Sequence, residues 1–167
     1  MENLEIILTD FNKRKIDKLI YEELKLSTLK VSSSHFYNNT LEKDLTFSQV
    51  GNIEEVLAPK GTGNILLEEL QLGILINNVL IVFSFDEQDG DILFNFPESE
   101  ILKNDMDDNK LRLEKLVHFL VILQEKYEIP KVIIGYEPAN DEDSLLMEIN
   151  SRIKNYDKEI EKILSYL

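Results

Sequence analysis

Residues 75–96 read LINNVLIVFSFDEQDGDILFNF, and their reading decides the fold class. Leu75-Ile76 and Val79 to Phe83 are apolar runs separated by Asn77-Asn78, a residue type that tolerates the positive φ of a two-residue turn. A second turn dipeptide, Asp89-Gly90, leads into Ile92 to Phe96, which Pro97 ends. Together the runs predict an antiparallel meander in the middle of the chain.

Toward the N-terminus, Leu4 to Thr9 is a short apolar run suited to a buried strand. Asp10 is placed to cap a helix whose apolar residues Ile16, Leu19, Ile20 and Leu24 recur at helical spacing. Leu29, Val31, Ser33, His35 and Tyr37 then alternate along one face of a strand, and Leu45, Phe47 and Gln49 suggest another. Asn64 to Leu72 fits a strand or a short helix equally, since periodicity does not separate the two over so short a run.

Toward the C-terminus, Asp107, Asp108 and Asn109 stand where a helix start takes acceptors and negative charge. The helix that follows, through Leu111, Leu113, Leu116, Leu120 and Ile122, is apolar on nearly all sides in its middle and is expected to be the most buried. Val132 to Tyr136 reads as the last strand, and a helix between two strands implies a crossover with at least one parallel pair. Leu146, Ile149, Ile153, Tyr156, Ile160, Ile163 and Leu167 recur three and four apart. That pattern fits a long amphipathic helix on the sheet or a homodimer seam, and Leu145 to Ile149 also fits a strand. The expected architecture is a single α+β domain over 1–167. It has a mixed, mainly antiparallel sheet with a central meander, packed against two or three helices including the long C-terminal one.

The charge is lopsided. The chain of 167 residues holds 18 Lys and Arg against 32 Asp and Glu, a net −14. Within residues 61–109 stand eleven acids and one base, Lys103. Glu68, Glu69, Asp86, Glu87, Asp89, Asp91, Asp105, Asp107 and Asp108 belong to that block. Tyr136 and Glu137 open a further acidic loop and offer an aromatic anchor. These eleven residues are the candidate partner-binding set, for a basic protein. Solubility alone, with Asp107 and Asp108 serving a helix dipole, explains the same acids equally well. Binding to nucleic-acid phosphates by such a face is disfavoured.

The chain has no Cys, which excludes disulfide scaffolds, thiolate metal sites and thiol nucleophiles. Its two histidines, His35 and His118, form no spaced metal pair. The loops at 85–96 and 105–116 lack the oxygen ligands or the glycine of a calcium loop. Lys60 precedes Gly61 and Gly63 instead of following them, so no phosphate loop forms. No cofactor or metal is expected, and a metal-dependent hydrolase built on the acidic loops is a minority alternative. Acids precede the bases Lys13, Arg14 and Lys15, the reverse of a secretory signal. The uncharged stretch Leu70 to Phe85 falls short of the ~20 apolar residues of a membrane span. A cytoplasmic protein is therefore expected.

In size, acidity, cytoplasmic character and absence of catalytic motifs, the chain resembles the small acidic immunity proteins of bacterial polymorphic toxin systems. The resemblance implies a non-enzymatic inhibitor that binds a cognate toxin, often by laying an acidic surface over a basic nuclease site. A homo-oligomeric assembly subunit using the C-terminal repeat is the alternative.

Overall fold

The computed structural model describes residues 2–103 and 105–165. Among them, eight strands form one sheet: β1 (Asn3–Asn12), β2 (Val31–Asn38), β3 (Lys43–Leu45), β4 (Gly61–Gln71), β5 (Leu75–Phe85), β6 (Asp89–Pro97), β7 (Lys131–Tyr136) and β8 (Leu145–Ile149). Their spatial order is β3-β2-β4-β5-β6-β1-β7-β8. The α-helices are α1 (Ile53–Val56), α2 (Met106–Lys126) and α3 (Asp157–Leu164). The fold is α+β, and the sheet is antiparallel throughout. The expected parallel pair does not form. The crossover from β6 through α2 to β7 exists, but β1 lies between those strands and pairs antiparallel with both. With Leu4 to Thr9 buried on both faces, β1 takes the interior slot.

The meander is β4–β5–β6, and its turns are not where the dipeptides placed them. Residues 64–72, open between helix and strand in the sequence, belong to β4 through Gln71. The first turn centres on Gly73, whose φ of 79° suits glycine, and Leu72 N–H bonds the Ile74 carbonyl at 2.9 Å. Asn77 and Asn78 lie inside β5. Asn78 does adopt a positive φ of 55°, but as a kink within the strand. Glu100 satisfies the neighbouring Asn77 N–H at 2.9 Å and its side-chain amide at 3.1 Å. The second turn is Asp86 to Gln88, closed by Asp86 N–H on the Asp89 carbonyl at 2.8 Å, so Asp89 and Gly90 are already strand.

One face of the sheet carries the core. Ile6 and Leu8 of β1, Ile81 and Phe83 of β5, and Ile92, Phe94 and Phe96 of β6 are essentially inaccessible. Each such side chain stabilises the fold by roughly 1.5–3 kcal/mol relative to exposure. α2 lays Leu113, Leu116, Val117, Leu120 and Leu123 on this core at helical spacing. Leu111 and Ile122 remain about half exposed and His118 is exposed, so the helix is one-sided and not apolar-buried all round.

The C-terminal repeat is not one helix. Leu146 and Ile149 are in β8, Ile153 and Tyr156 in the following loop, and Ile160 and Ile163 in α3. All six are core residues or pack against the core, so among the described residues they do not line up as one exposed helical seam. Tyr156 fixes the loop: its hydroxyl donates to the Asn150 carbonyl at 3.1 Å and accepts the Asn150 N–H at 3.2 Å. Leu167 lies outside the described residues. Two shorter expectations also change. Phe47 and Gln49 belong to a 3₁₀ turn closed by a Thr46–Gln49 capping box. The helix expected at 16–24 is a π-helix over Lys18–Glu23, with Leu19 and Ile20 buried.

Tyr127 ends α2 with its ring 5.7 Å from that of Phe11 and its hydroxyl buried without a hydrogen-bond partner among the described residues. Burial first, then the charges of Glu23 and Glu22, push its pKa from 10.0 up to about 12. Below pH 10 both folded and unfolded states hold the proton and stability is full. Between pH 10 and 12 only the unfolded state ionises, so stability falls, by about 2 kcal/mol for this group. Tyr127→Phe is expected to remove that share of the alkaline loss and to leave stability at neutral pH equal or higher. Urea unfolding at pH 8 and pH 11.5 checks this; an identical loss in both proteins would refute it.

Candidate functional site

The strands have two ends, and the topology sorts the acids between them. One end carries the β5–β6 turn, the exit of β1 and the entry of β4. A cavity of about 620 Å³ opens there and is lined by Asp10, Asn12, Lys13, Arg14, Glu54, Glu87, Gln88 and Asp89.

Local chemistry sets each wall of this cleft. Asp10 does not cap a helix; it sits at an irregularity of β1 between Leu8 and Phe11 with φ 48°. Its N–H is held by the Asp91 carboxylate at 3.1 Å. Asn12 caps instead, accepting the Arg14 N–H at 3.0 Å. Glu54 is placed by α1, whose first N–H groups are bound from a distance. Asp17 accepts those of Ile53 at 2.8 Å and Glu54 at 3.1 Å.

Lys13 ties the walls together. Its side chain is buried, with the residue 4% exposed. Its ammonium donates to the carbonyls of Leu57 at 3.0 Å, Pro59 at 3.1 Å and Asp86 at 3.0 Å. Its backbone N–H holds the Gln88 carbonyl at 3.0 Å. Burial lowers the pKa of Lys13, opposed by the charges of Glu54, Glu87 and Asp86. With all three donors spent on carbonyls, this cation is a strut between the α1–β4 and β5–β6 connections. The cleft therefore presents Asp10, Glu54, Glu87 and Asp89 outward, with Arg14 as the exposed base on its wall.

The family follows from comparison with known proteins. Residues 2–152 match the model of the PABL017 Cdi1I immunity protein family. The chain belongs to this family. A chain of the crystal structure titled as the toxic C-terminal tip of CdiA from Pseudomonas aeruginosa in complex with immune protein shares the fold. Its TM-score is 0.66 at 18% identity, over 89% of this chain and 95% of that one. A search of curated proteins gave no match.

In this immunity-family chain, Asp86, Glu87 and Asp89 share the cleft end of the sheet, and Asp91 borders it on the strand. The other predicted residues stand at the opposite end. Glu68 pairs with Lys30 at 3.2 Å, and Glu69 lies opposite Asn77 near the Gly73 turn. Asp105 caps α2 by accepting the N–H groups of Asp107 at 2.9 Å and Asp108 at 3.1 Å, and the latter two occupy its first turn. Tyr136 is no exposed anchor. It shares the core face with Ile134 and Val132 and is half-buried. Burial, a hydrogen bond to Glu98 and the charges of Glu98 and Glu2 push its pKa up to about 12. Glu137 beside it is exposed.

Asp10, Glu54 and Lys13 belong to the cleft yet stand outside the acid-rich block of the sequence. Only the chain's return to one sheet end brings them to the β5–β6 turn. His35 meets Asp44 at 2.7 Å on the exposed β2–β3 edge, far along the sheet from α2 and its His118. Among the described residues, no group of three or more His, Asp or Glu could hold a metal ion. No helix among them is long and apolar enough to cross a membrane.

Proposed function

We propose that this chain neutralises a CdiA-type toxin in the cytoplasm by binding it, and that the toxin presents basic residues to the acidic cleft end. Family membership over residues 2–152 supports toxin binding. The observation that carries the placement is the cleft itself, where four carboxylates line one opening and the buried cation is fully occupied by carbonyls. Asp86, Glu87, Asp89 and Asp91, joined by Asp10 and Glu54, form the contact set. Glu68, Asp105, Asp107 and Asp108 have local partners or helix-capping duties at the far end and are left out of it.

Such a field steers a basic partner and accelerates encounter more than it strengthens the final complex. Glu87→Lys with Asp89→Lys is expected to slow association with the toxin tip of the same locus about 10-fold at low salt. The difference should shrink as ionic strength rises and the screening length falls to ~8 Å. Stopped-flow association across a salt series reads this directly. A rate indifferent to both salt and the reversals would remove the cleft from the interface.

A further inference from the structure

We infer that the sheet face turned away from the helices is the main body of the partner interface, and that it takes an apolar patch whose basic margin meets the cleft. This rests on the function proposed above.

The helices and nearly all of the core lie on one side of the sheet. On the other side the buried cluster is small: Ile7, Ile133 and Ala139, with Leu93 packed against it. An antiparallel sheet facing water alternates apolar inward with polar outward. Here the outward positions at the centre are Leu66, Leu80, Val82 and Leu93, all half-buried. The register sets them side by side, with Leu66 opposite Leu80, Leu80 opposite Asn95, and Val82 opposite Leu93. Tyr37 stands on the same face of β2, two residues from His35, which pairs with Asn64, and is 43% exposed.

The surface is also continuous with the acidic cleft. Asp91, one step beyond Val82 and Leu93 in the same register, faces this side opposite Ser84 and bonds Asp10 of the cleft wall. An apolar centre passing into a charged margin is the anatomy of a protein interface. The charge fits one occupant, a protein with exposed aliphatic side chains bordered by Lys or Arg. The segment around Ala139 covers this side of β1 and β7, so the open part spans β2, β4, β5 and β6. Four strands at about 4.8 Å spacing make it about 19 Å across, and together with the adjoining cleft end it approaches the ~800 Å² a partner contributes to a standard interface.

The test uses the full chain and the recombinant toxin tip of the same locus. Leu80→Ser with Val82→Thr is expected to raise the dissociation rate at least 10-fold while leaving association unchanged, the opposite of the cleft reversal. Thermal melting of the free variants reports folding. Hydroxyl-radical footprinting of the wild-type complex is the second measurement, with protection expected at Tyr37, Leu66, Leu80 and Leu93 and none at Leu111 or Ile122 on α2. Wild-type dissociation of the folded variant, or protection on α2 alone, overturns the face assignment and leaves the cleft standing. A tip that binds with sensitivity to neither set of substitutions overturns both placements, and a tip that fails to bind overturns the proposed function and this inference with it.

Discussion

Lys13→Met is expected to destabilise the fold by about 3 kcal/mol, among the larger effects for a residue outside the apolar core. Methionine keeps an unbranched stem and so preserves most of the packing. It removes an ammonium that satisfies the Leu57, Pro59 and Asp86 carbonyls at 3.0–3.1 Å. Each buried acceptor left unpaired costs about 1–3 kcal/mol. Part of that is offset, because the buried charge itself carries a desolvation cost that lowers the pKa of Lys13. Lys13→Arg should not rescue it fully, since a planar guanidinium cannot converge on three carbonyls as an ammonium does. Urea unfolding at pH 7 measures the loss, and a change below about 1 kcal/mol would show that the strut is not structural. The same substitution frees the connection that follows the helix of Glu54 and the turn that carries Glu87, so the loss of stability and the loosening of the cleft arise at one atom.

That strut marks the limit of what the sequence discloses. Local pattern was legible where a residue's neighbours in sequence are its neighbours in space. The apolar runs Leu4–Thr9, Val79–Phe83, Ile92–Phe96 and Val132–Tyr136 all became strands, and α2 does start at the expected acidic run, with Asp107 and Asp108 in its first turn, although its cap is Asp105. Local chemistry was also right about Asn78, which takes the positive φ, but a kink and a turn make the same demand on one residue. Only the pairing of Gln71 with Leu75 distinguishes them. The C-terminal repeat misled for a related reason. Buried positions drawn from a strand, a loop and a short helix happened to fall three and four apart, and spacing carries no record of the element behind it. The parallel pair failed because chain order cannot show that the first strand inserts between the sixth and seventh.

The candidate site was harder still. A charge block contiguous along the chain is divided between two ends of the sheet, because β5 and β6 run the full length between them. Asp86, Glu87 and Asp89 remain together because they occupy one turn; Asp105 to Asp108 go to the other end with the start of α2. Family likeness pointed to an immunity protein from acidity and size, and the match over residues 2–152 shows that family. Neither acidity nor size could show that Asp10 and Glu54 would join the turn, since those contacts span the whole of the chain's first half.

Gly90→Ala is expected to destabilise by about 3 kcal/mol, the upper end of what forcing atoms into a filled site costs. Asp89-Gly90 looks like a hairpin dipeptide, in which glycine would serve a positive φ. The structure gives Gly90 another task. It lies in β6 between Phe85 of β5 and Phe11 of β1, with no positive φ. A Cβ there would collide with the Ser84 carbonyl oxygen and stand 2.5 Å from the Phe85 Cγ and 2.6 Å from its Cα. Two of those three obstacles are backbone, so a rotamer change cannot relieve them, and the β5–β6 ladder must open beside the acidic turn. Gly51 is the control: nothing lies within 4 Å of a Cβ at that position, and Gly51→Ala should change stability by no more than about 0.5 kcal/mol. Denaturant midpoints of the two variants decide the matter. Equal, small shifts would mean that the close approach of β5 and β6 at position 90 is not what holds the turn bearing Asp86, Glu87 and Asp89 in place.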